Sequence, residues 1–272
     1  MAVLGGVRVL PPPRVVSLWI GPRLGPLGRL CLRSHVLAGH PVELYSYTPV
    51  ADLPEGVVAR DAADVMPLDA ELLERGGPRL IADIWRLEML AAGRGIWIDC
   101  DALALHPLGR ERRLFGLVTE TMVATGILRL PRSSRALAML RAFIADPWDP
   151  MAKRFARKRL RALGITDGRE ALLAVVARRP TFVGPEGLTF MLRKTGEIRA
   201  AMAPERLYPV GFGEVEMLFG PDAEVRARIR PETLSVHLYN GRLGKRRLPL
   251  PPPPGSFLAV EAARCGVDLA EP

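Results

Sequence analysis

Residues 14–50 read RVVSLWIGPRLGPLGRLCLRSHVLAGHPVELYSYTPV. "RVVSLWIGP" (14–22) is a β-rich run closed by Gly-Pro, which predicts a strand running into a loop. "LGRLCLRSHVLAG" (27–39) places apolar residues at 27, 30, 32, 36 and 37 and ends on Gly39, a helical pattern with its stop. "HPVELYSYTPV" (40–50) returns to alternation, with Val42, Leu44 and Ser46 on one side and Glu43, Tyr45 and Tyr47 on the other. Strand, helix, strand opens a parallel α/β sheet.

The pattern continues beyond it. "LDAELLERG" (68–76) predicts a short helix, and "GPRLIADIWRLEMLAAGRG" (77–95) a long one. Pro78 suits the first turn of the long helix and Gly93 its end. Leu80, Ile84, Leu87 and Ala91 form one apolar stripe along it. "GIWI" (95–98) is then a buried strand, "RRLFGLVTE" and "VATGILRLP" two short strands, and "SSRALAMLRAFIAD" (133–146) a serine-capped helix. The text from 151 to 180 is basic and helical, and "LYPVGFGEV" (207–215) and "TLSVHLYNG" (233–241) read as late strands. "LPLPPPPG" (248–255) is a stiff spacer before a final helix, dividing the chain into a domain at 14–248 and a tail at 249–272.

Composition limits the function. The chain has 272 residues, 49% of them hydrophobic, enough for one large core. Net charge is +9, and only four of the 38 basic residues are lysine. Guanidinium groups pair well with phosphate, so anionic substrates, anionic lipid surfaces and nucleic acid all come into view; genomic base composition would give the same arginine excess. Cys31, Cys100 and Cys265 match no zinc spacing, and their usage suits a reducing compartment. The opening residues lack the layout of a signal peptide, and no apolar run is long enough to span a bilayer. A cytoplasmic protein is expected, with peripheral contact at the inner membrane face as an option. The run "KRFARKRLR" (153–161) would supply such contact, although a solvated helix face explains it equally well. Without aromatic interleaving or a recognition motif, nucleic acid is not an expected partner.

Two aspartates carry the chemistry. Asp99 and Asp101 stand one residue apart just where the "GIWI" strand runs out. In extended backbone that spacing puts both carboxylates on one side. Their repulsion is relieved by a hard divalent cation, which takes oxygen ligands and leaves positions open for substrate phosphates. Upstream, Asp83 and Arg86 lie three apart on the long helix. They make either a surface ion pair or a pair aimed into a site.

"ADIWRLEMLAAGRGIWIDCDALALHPL" (82–108) resembles the signature of the DxD sugar-transferase family. That family includes bacterial capsule and lipopolysaccharide glycosyltransferases, yeast initiating mannosyltransferases and clostridial glucosylating toxins. Asp83, Arg86, Leu87, Leu90, Gly95, Trp97, Asp99 and Asp101 carry the resemblance, with softer matches at "VVSLWIGP", "GHPVELYSY", "RPTFVGPEGLTFMLR" and "SVHLYNG". It implies a GT-A-type, Rossmann-like mixed sheet flanked by helices, with a helical insertion. It implies a metal-dependent enzyme that moves a sugar from a nucleotide-sugar donor to a glycan or glycolipid acceptor, with retention and with uridine preferred over guanosine. Trp19 would stack on the base, Asp83, Arg86 and Asn240 would bind the donor, and Asp99 would reach its ribose or the metal through water. Asp99, Asp101 and His237 would hold Mn²⁺ or Mg²⁺, and Asp101 and Arg86 would act in catalysis. The family's Asn before the glycine is Thr125 here, and its late Trp is Tyr239. Two rivals use the same residues differently. One is a phosphatase or phosphotransferase with an aspartyl nucleophile; the other is a basic membrane- or nucleic-acid-binding protein without catalysis.

Overall fold

A computed structural model describes residues 3–4, 7–8, 11–148, 158, 160–162, 164–246 and 248–271. Its centre is a five-stranded sheet. The strands are β1 (Val15–Trp19), β2 (Val42–Ser46), β3 (Val57–Asp61), β4 (Ile96–Ile98) and, after a two-residue strand β5 (Ala102–Ala104) outside this sheet, β6 (Ile127–Leu128). Their spatial order is β3-β2-β1-β4-β6, with the first four parallel and β6 antiparallel to β4. The fold is therefore a mixed, Rossmann-like α/β sheet flanked by helices.

Alternation explains the layering. Val16, Leu18 and Trp97 point to one face, where α2 (Ala70–Ala92) and α3 (Arg135–Ala145) cover them, together with α4 (Gly168–Arg178) and α5 (Gly187–Thr195) of a helical insertion. Val15, Ile96 and Ile98 point to the other face, against α1 (Gly25–Leu37). Sheet order reverses direction between β1 and β4, and ligands of open α/β sheets bind at the carboxyl ends of strands at such a switch point. Trp19 and Asp99 stand at those two ends.

Local signals act as expected in α1 and α2. Asp52 caps α1 from a distance, its carboxylate accepting from the Leu24 and Gly25 N–H groups at 2.7 and 2.8 Å. The two helices expected at 68–76 and 77–95 form one run broken at Gly77, whose φ of 77° turns the chain ahead of Pro78. Gly93 ends it in the left-handed conformation.

Other expectations need correction. "LYPVGFGEV" is not a strand: α6 (Pro204–Leu207) precedes it, turns follow, and a 3₁₀ turn spans Val215–Phe219. Pro209, Gly211 and Gly213 interrupt the run, and among the described residues no strand pairs with it. Of the two strands expected within 112–131, only β6 and isolated bridges form, among them Leu114 with Arg129 and Leu117 with Val123. The edge strand β3 was not expected, because four of its five side chains are exposed and show no alternation. The basic stretch 151–163 lies mostly outside the described residues.

The late segments build a second small layer. β7 (Ser235–His237) pairs antiparallel with β5, so Ala102 faces His237 across the ladder. α7 (Asp222–Arg226), α8 (Asn240–Arg246) and α9 (Phe257–Cys265) surround it. Beyond the polyproline stretch, α9 buries Phe257, Leu258 and Ala262 in a core shared with Leu30 and Cys31 of α1. Glu261, fully buried on α9, is held by Arg226 and Arg264. Among the described residues no helix is long and apolar enough to cross a membrane.

Candidate metal centre and its cavity

The β5–β7 ladder brings a distant histidine onto the two aspartates. Asp99 follows β4, Asp101 precedes β5, and His237 ends β7. One ligand atom from each lies within 4.8 Å of the others, so the three could hold a metal ion. His237 Nε2 stands 3.2 Å from Asp101 Oδ1 and 3.6 Å from Asp99 Oδ2. The Tyr239 N–H donates to His237 Nδ1 at 3.2 Å, which leaves the ring proton on Nε2, facing Asp101.

Each carboxylate has a distinct environment. Asp99 Oδ1 accepts from the Trp97 indole N–H at 2.6 Å and lies 3.8 Å from Arg86 Nη2. Burial pushes its carboxyl up, but the charges of Arg86 and His237 and the indole hydrogen bond outweigh that and hold it below the usual range. Asp101 Oδ2 accepts from the Asn240 N–H at 2.9 Å. Burial, reinforced by Asp99, pushes Asp101 up despite His237. Burial opposes charge on His237 as well, yet the two aspartates raise it above its ordinary value. The two carboxylates therefore concentrate negative charge beside a single imidazole ring, an arrangement a cation would balance.

Gly126 makes the cluster possible. A Cβ there would sit 2.5 Å from His237 Cδ2 and 3.5 Å from Asp99 Oδ2. The Asp99 N–H donates to the Gly126 carbonyl at 2.7 Å, which ties the two segments together.

The Asp83–Arg86 pair is not on the surface. Its side chains are 4% and 6% exposed and meet at 3.0 Å. α2 is buried on both sides there, by the sheet and by the helical insertion, so residues off the apolar stripe are enclosed too. Arg86 also donates to the Thr125 carbonyl at 3.1 Å and lies over the Trp97 ring at 4.7 Å. Burial raises Asp83, with Arg86 and Arg79 pulling the other way.

All seven residues singled out from sequence (Trp19, Asp83, Arg86, Asp99, Asp101, His237 and Asn240) line one cavity of about 570 Å³. That size suits a small-molecule ligand. Sequence reasoning missed Arg79, Phe212, Arg242 and Lys245, which line the same cavity from separate segments that share no motif. Among the described residues, Arg79, Arg242 and Lys245 form no ion pair. Among the described residues, several polar atoms of the cavity's lining side chains are buried without a partner: Trp19 Nε1, Asp83 Oδ2, Arg86 Nε, Tyr239 Oη, Asn240 Oδ1 and Arg242 Nε. Native interiors leave few such atoms, and a cluster of them around one cavity is what a polar ligand would satisfy.

The cavity thus joins a carboxylate–imidazole cluster, unpaired cations and orphaned polar groups. That combination suits a metal-bound, phosphate-bearing ligand. No protein-family model matches this chain, and no curated protein matches it.

Proposed function

We propose that the protein is a metal-dependent glycosyltransferase that takes a sugar from a nucleotide-diphosphate donor, with UDP as the expected carrier. The observation that carries this is the Asp99–Asp101–His237 cluster at the switch point of the sheet, with unpaired cations in the same cavity. The resemblance of residues 82–108 to the DxD sugar transferases supports it.

Asp99, Asp101 and His237 would hold Mn²⁺ or Mg²⁺. The donor set of two carboxylates and one imidazole suits such ions, and the orphaned Asn240 Oδ1 and Asp83 Oδ2 are free to bind donor hydroxyl or amide groups. When bound, the cation supplies positive charge to the diphosphate. Ligation through Nε2 would need the uncharged ring with its proton on Nδ1, turned away from the Tyr239 N–H, and because the aspartates favour the charged ring, metal affinity should rise with pH.

The chain's own residues then account for the rest. Trp19 offers a ring at the cavity wall for the base. Arg79, Arg242 and Lys245 attract the diphosphate and stabilise negative charge as it leaves. Arg86, fixed by Asp83 and Thr125, contributes charge without having to reorganise. In the transfer, the bond from the anomeric carbon to the diphosphate oxygen breaks and a bond to the acceptor oxygen forms. The acceptor's proton goes to the departing diphosphate. Transfer to a glycan or glycolipid acceptor with retention, by front-face displacement, is the form the resemblance implies.

Incubation with UDP-sugars and Mn²⁺ tests this: UDP release that EDTA abolishes is expected. A failure of every UDP- and GDP-sugar to react would count against the proposal. Gly126→Ala should push His237 off the cluster and weaken Mn²⁺ binding about tenfold or more, as measured by calorimetry, with far-ultraviolet circular dichroism unchanged.

A further inference from the structure

Phe212 is 54% exposed, the highest value among the exposed large hydrophobic side chains of the described residues, and it lines the cavity that holds the metal cluster. An exposed aromatic at a cavity mouth is informative where a scattered surface leucine is not. Its loop is held firmly. The Gly211 N–H donates to Glu214 Oε2 at 3.1 Å, the Glu214 N–H returns to the Gly211 carbonyl at 2.9 Å, and Arg228 clamps the Glu214 carboxylate at 3.0 Å. The fold keeps the ring in place without burying it.

The ring is also linked to the metal cluster. Phe212 meets Tyr239 edge to face at 5.5 Å, and Tyr239 meets His237 at 4.4 Å. Arg242 lies over the Phe212 ring at 5.1 Å. Tyr239 carries two costs of its own. Its φ of 53° is left-handed, rare for a residue with a side chain, and its hydroxyl is buried without a partner. Strain and an orphaned hydroxyl beside an exposed ring mark a place shaped for a ligand.

Trp19 closes the cavity from the main sheet, at the end of β1. Phe212 lines it from the turn segment after α6, against Tyr239, which follows β7. The apolar C–H face of a pyranose packs on the electron-rich face of an aromatic ring, and neighbouring hydroxyls then find polar partners such as Tyr239 Oη. We infer that Phe212, backed by Tyr239 and Arg242, is the platform on which the sugar ring of the acceptor stacks. This rests on the glycosyltransferase proposal and adds an acceptor subsite to it.

Saturation-transfer NMR with methyl glucoside, galactoside and mannoside, in the presence of UDP and Mn²⁺, tests the inference. Transfer to the ring C–H protons of at least one glycoside is expected for the wild type. Phe212→Ala should lose it at least fivefold, and Phe212→Tyr should keep it. UDP affinity, measured by calorimetry, should stay within twofold in both variants. Three results would overturn the platform: no transfer to any glycoside from wild type that binds UDP, unchanged transfer in Phe212→Ala, or a tenfold loss of UDP affinity in Phe212→Ala, which would place the ring on the nucleotide. A wild type that does not bind UDP at all would instead sink the glycosyltransferase proposal.

Discussion

Arg86→Ala is expected to lower the unfolding free energy by about 3–5 kcal/mol, the cost of removing one partner from a buried ion pair. In a chain of this length that is a fall in Tm of about 10 °C. Arg86 is enclosed with Asp83 at 3.0 Å and stands near Asp99, so its loss strands two carboxylates. It also removes a hydrogen bond to the Thr125 carbonyl and a guanidinium packed over Trp97. Asp83 would respond by taking up a proton, because burial already pushes its carboxyl up and Arg86 is the main opposing influence. The loss should therefore shrink as pH falls. A second substitution separates pairing from packing. Asp83→Asn in the Arg86→Ala background should recover about 1–3 kcal/mol, the coupling typical of contacting residues. Strictly additive effects in denaturant titrations would show that the two side chains do not act as a pair.

Acid should destabilise the fold through His35. This side chain is fully buried on α1, with Nε2 3.0 Å from the Ala102 carbonyl and Nδ1 without a partner. Burial, helped by the nearby His40, lowers its pKa to about 3. An unfolded histidine titrates near 6.5. Below that pH the unfolded chain binds a proton that folded His35 refuses, so stability falls as pH drops. The loss is about 1.4 kcal/mol per pH unit and reaches about 3 kcal/mol by pH 4. It levels off below about pH 3, where the folded form also takes the proton. His40 acts in the same direction. Burial lowers its pKa, against the pull of the Pro13 carbonyl, to which Nδ1 donates at 2.6 Å; Nε2 accepts from the Leu108 N–H at 2.9 Å. Urea unfolding of wild type and His35→Gln between pH 7.5 and 4 measures this. The glutamine keeps an N–H donor and does not titrate, so the gap between the two curves should narrow or reverse as pH falls. Parallel curves would rule the mechanism out.

Much of this molecule is legible in its sequence, for reasons that differ between elements. β1, α1 and β2 each bury one face, and that leaves the alternation and helical spacing visible. Asp99 and Asp101 are legible because neighbours along a chain are neighbours in space. β3 was invisible, since an edge strand exposed on most positions needs no apolar pattern. The depth of Asp83 and Arg86 was hidden because it depends on the helical insertion closing over α2. The contribution of Arg79, Arg242, Lys245 and Phe212 was hidden too. They reach one cavity from three stretches of chain, and only the antiparallel pairing of β5 with β7 brings the later ones to the aspartates. His237 looks like an ordinary core histidine in its own strand, and its meaning emerges only opposite Ala102.

The central claim is that Asp99, Asp101 and His237 hold a cation that in turn holds a nucleoside diphosphate. Its most direct test is calorimetric titration of UDP into wild type and Asp101→Asn, each with Mn²⁺ and with EDTA. The account predicts that wild type binds UDP with Mn²⁺ and loses at least about tenfold in affinity with EDTA, while Asp101→Asn binds weakly in both conditions. UDP binding that is equal with and without Mn²⁺, or equal in wild type and Asp101→Asn, would contradict it.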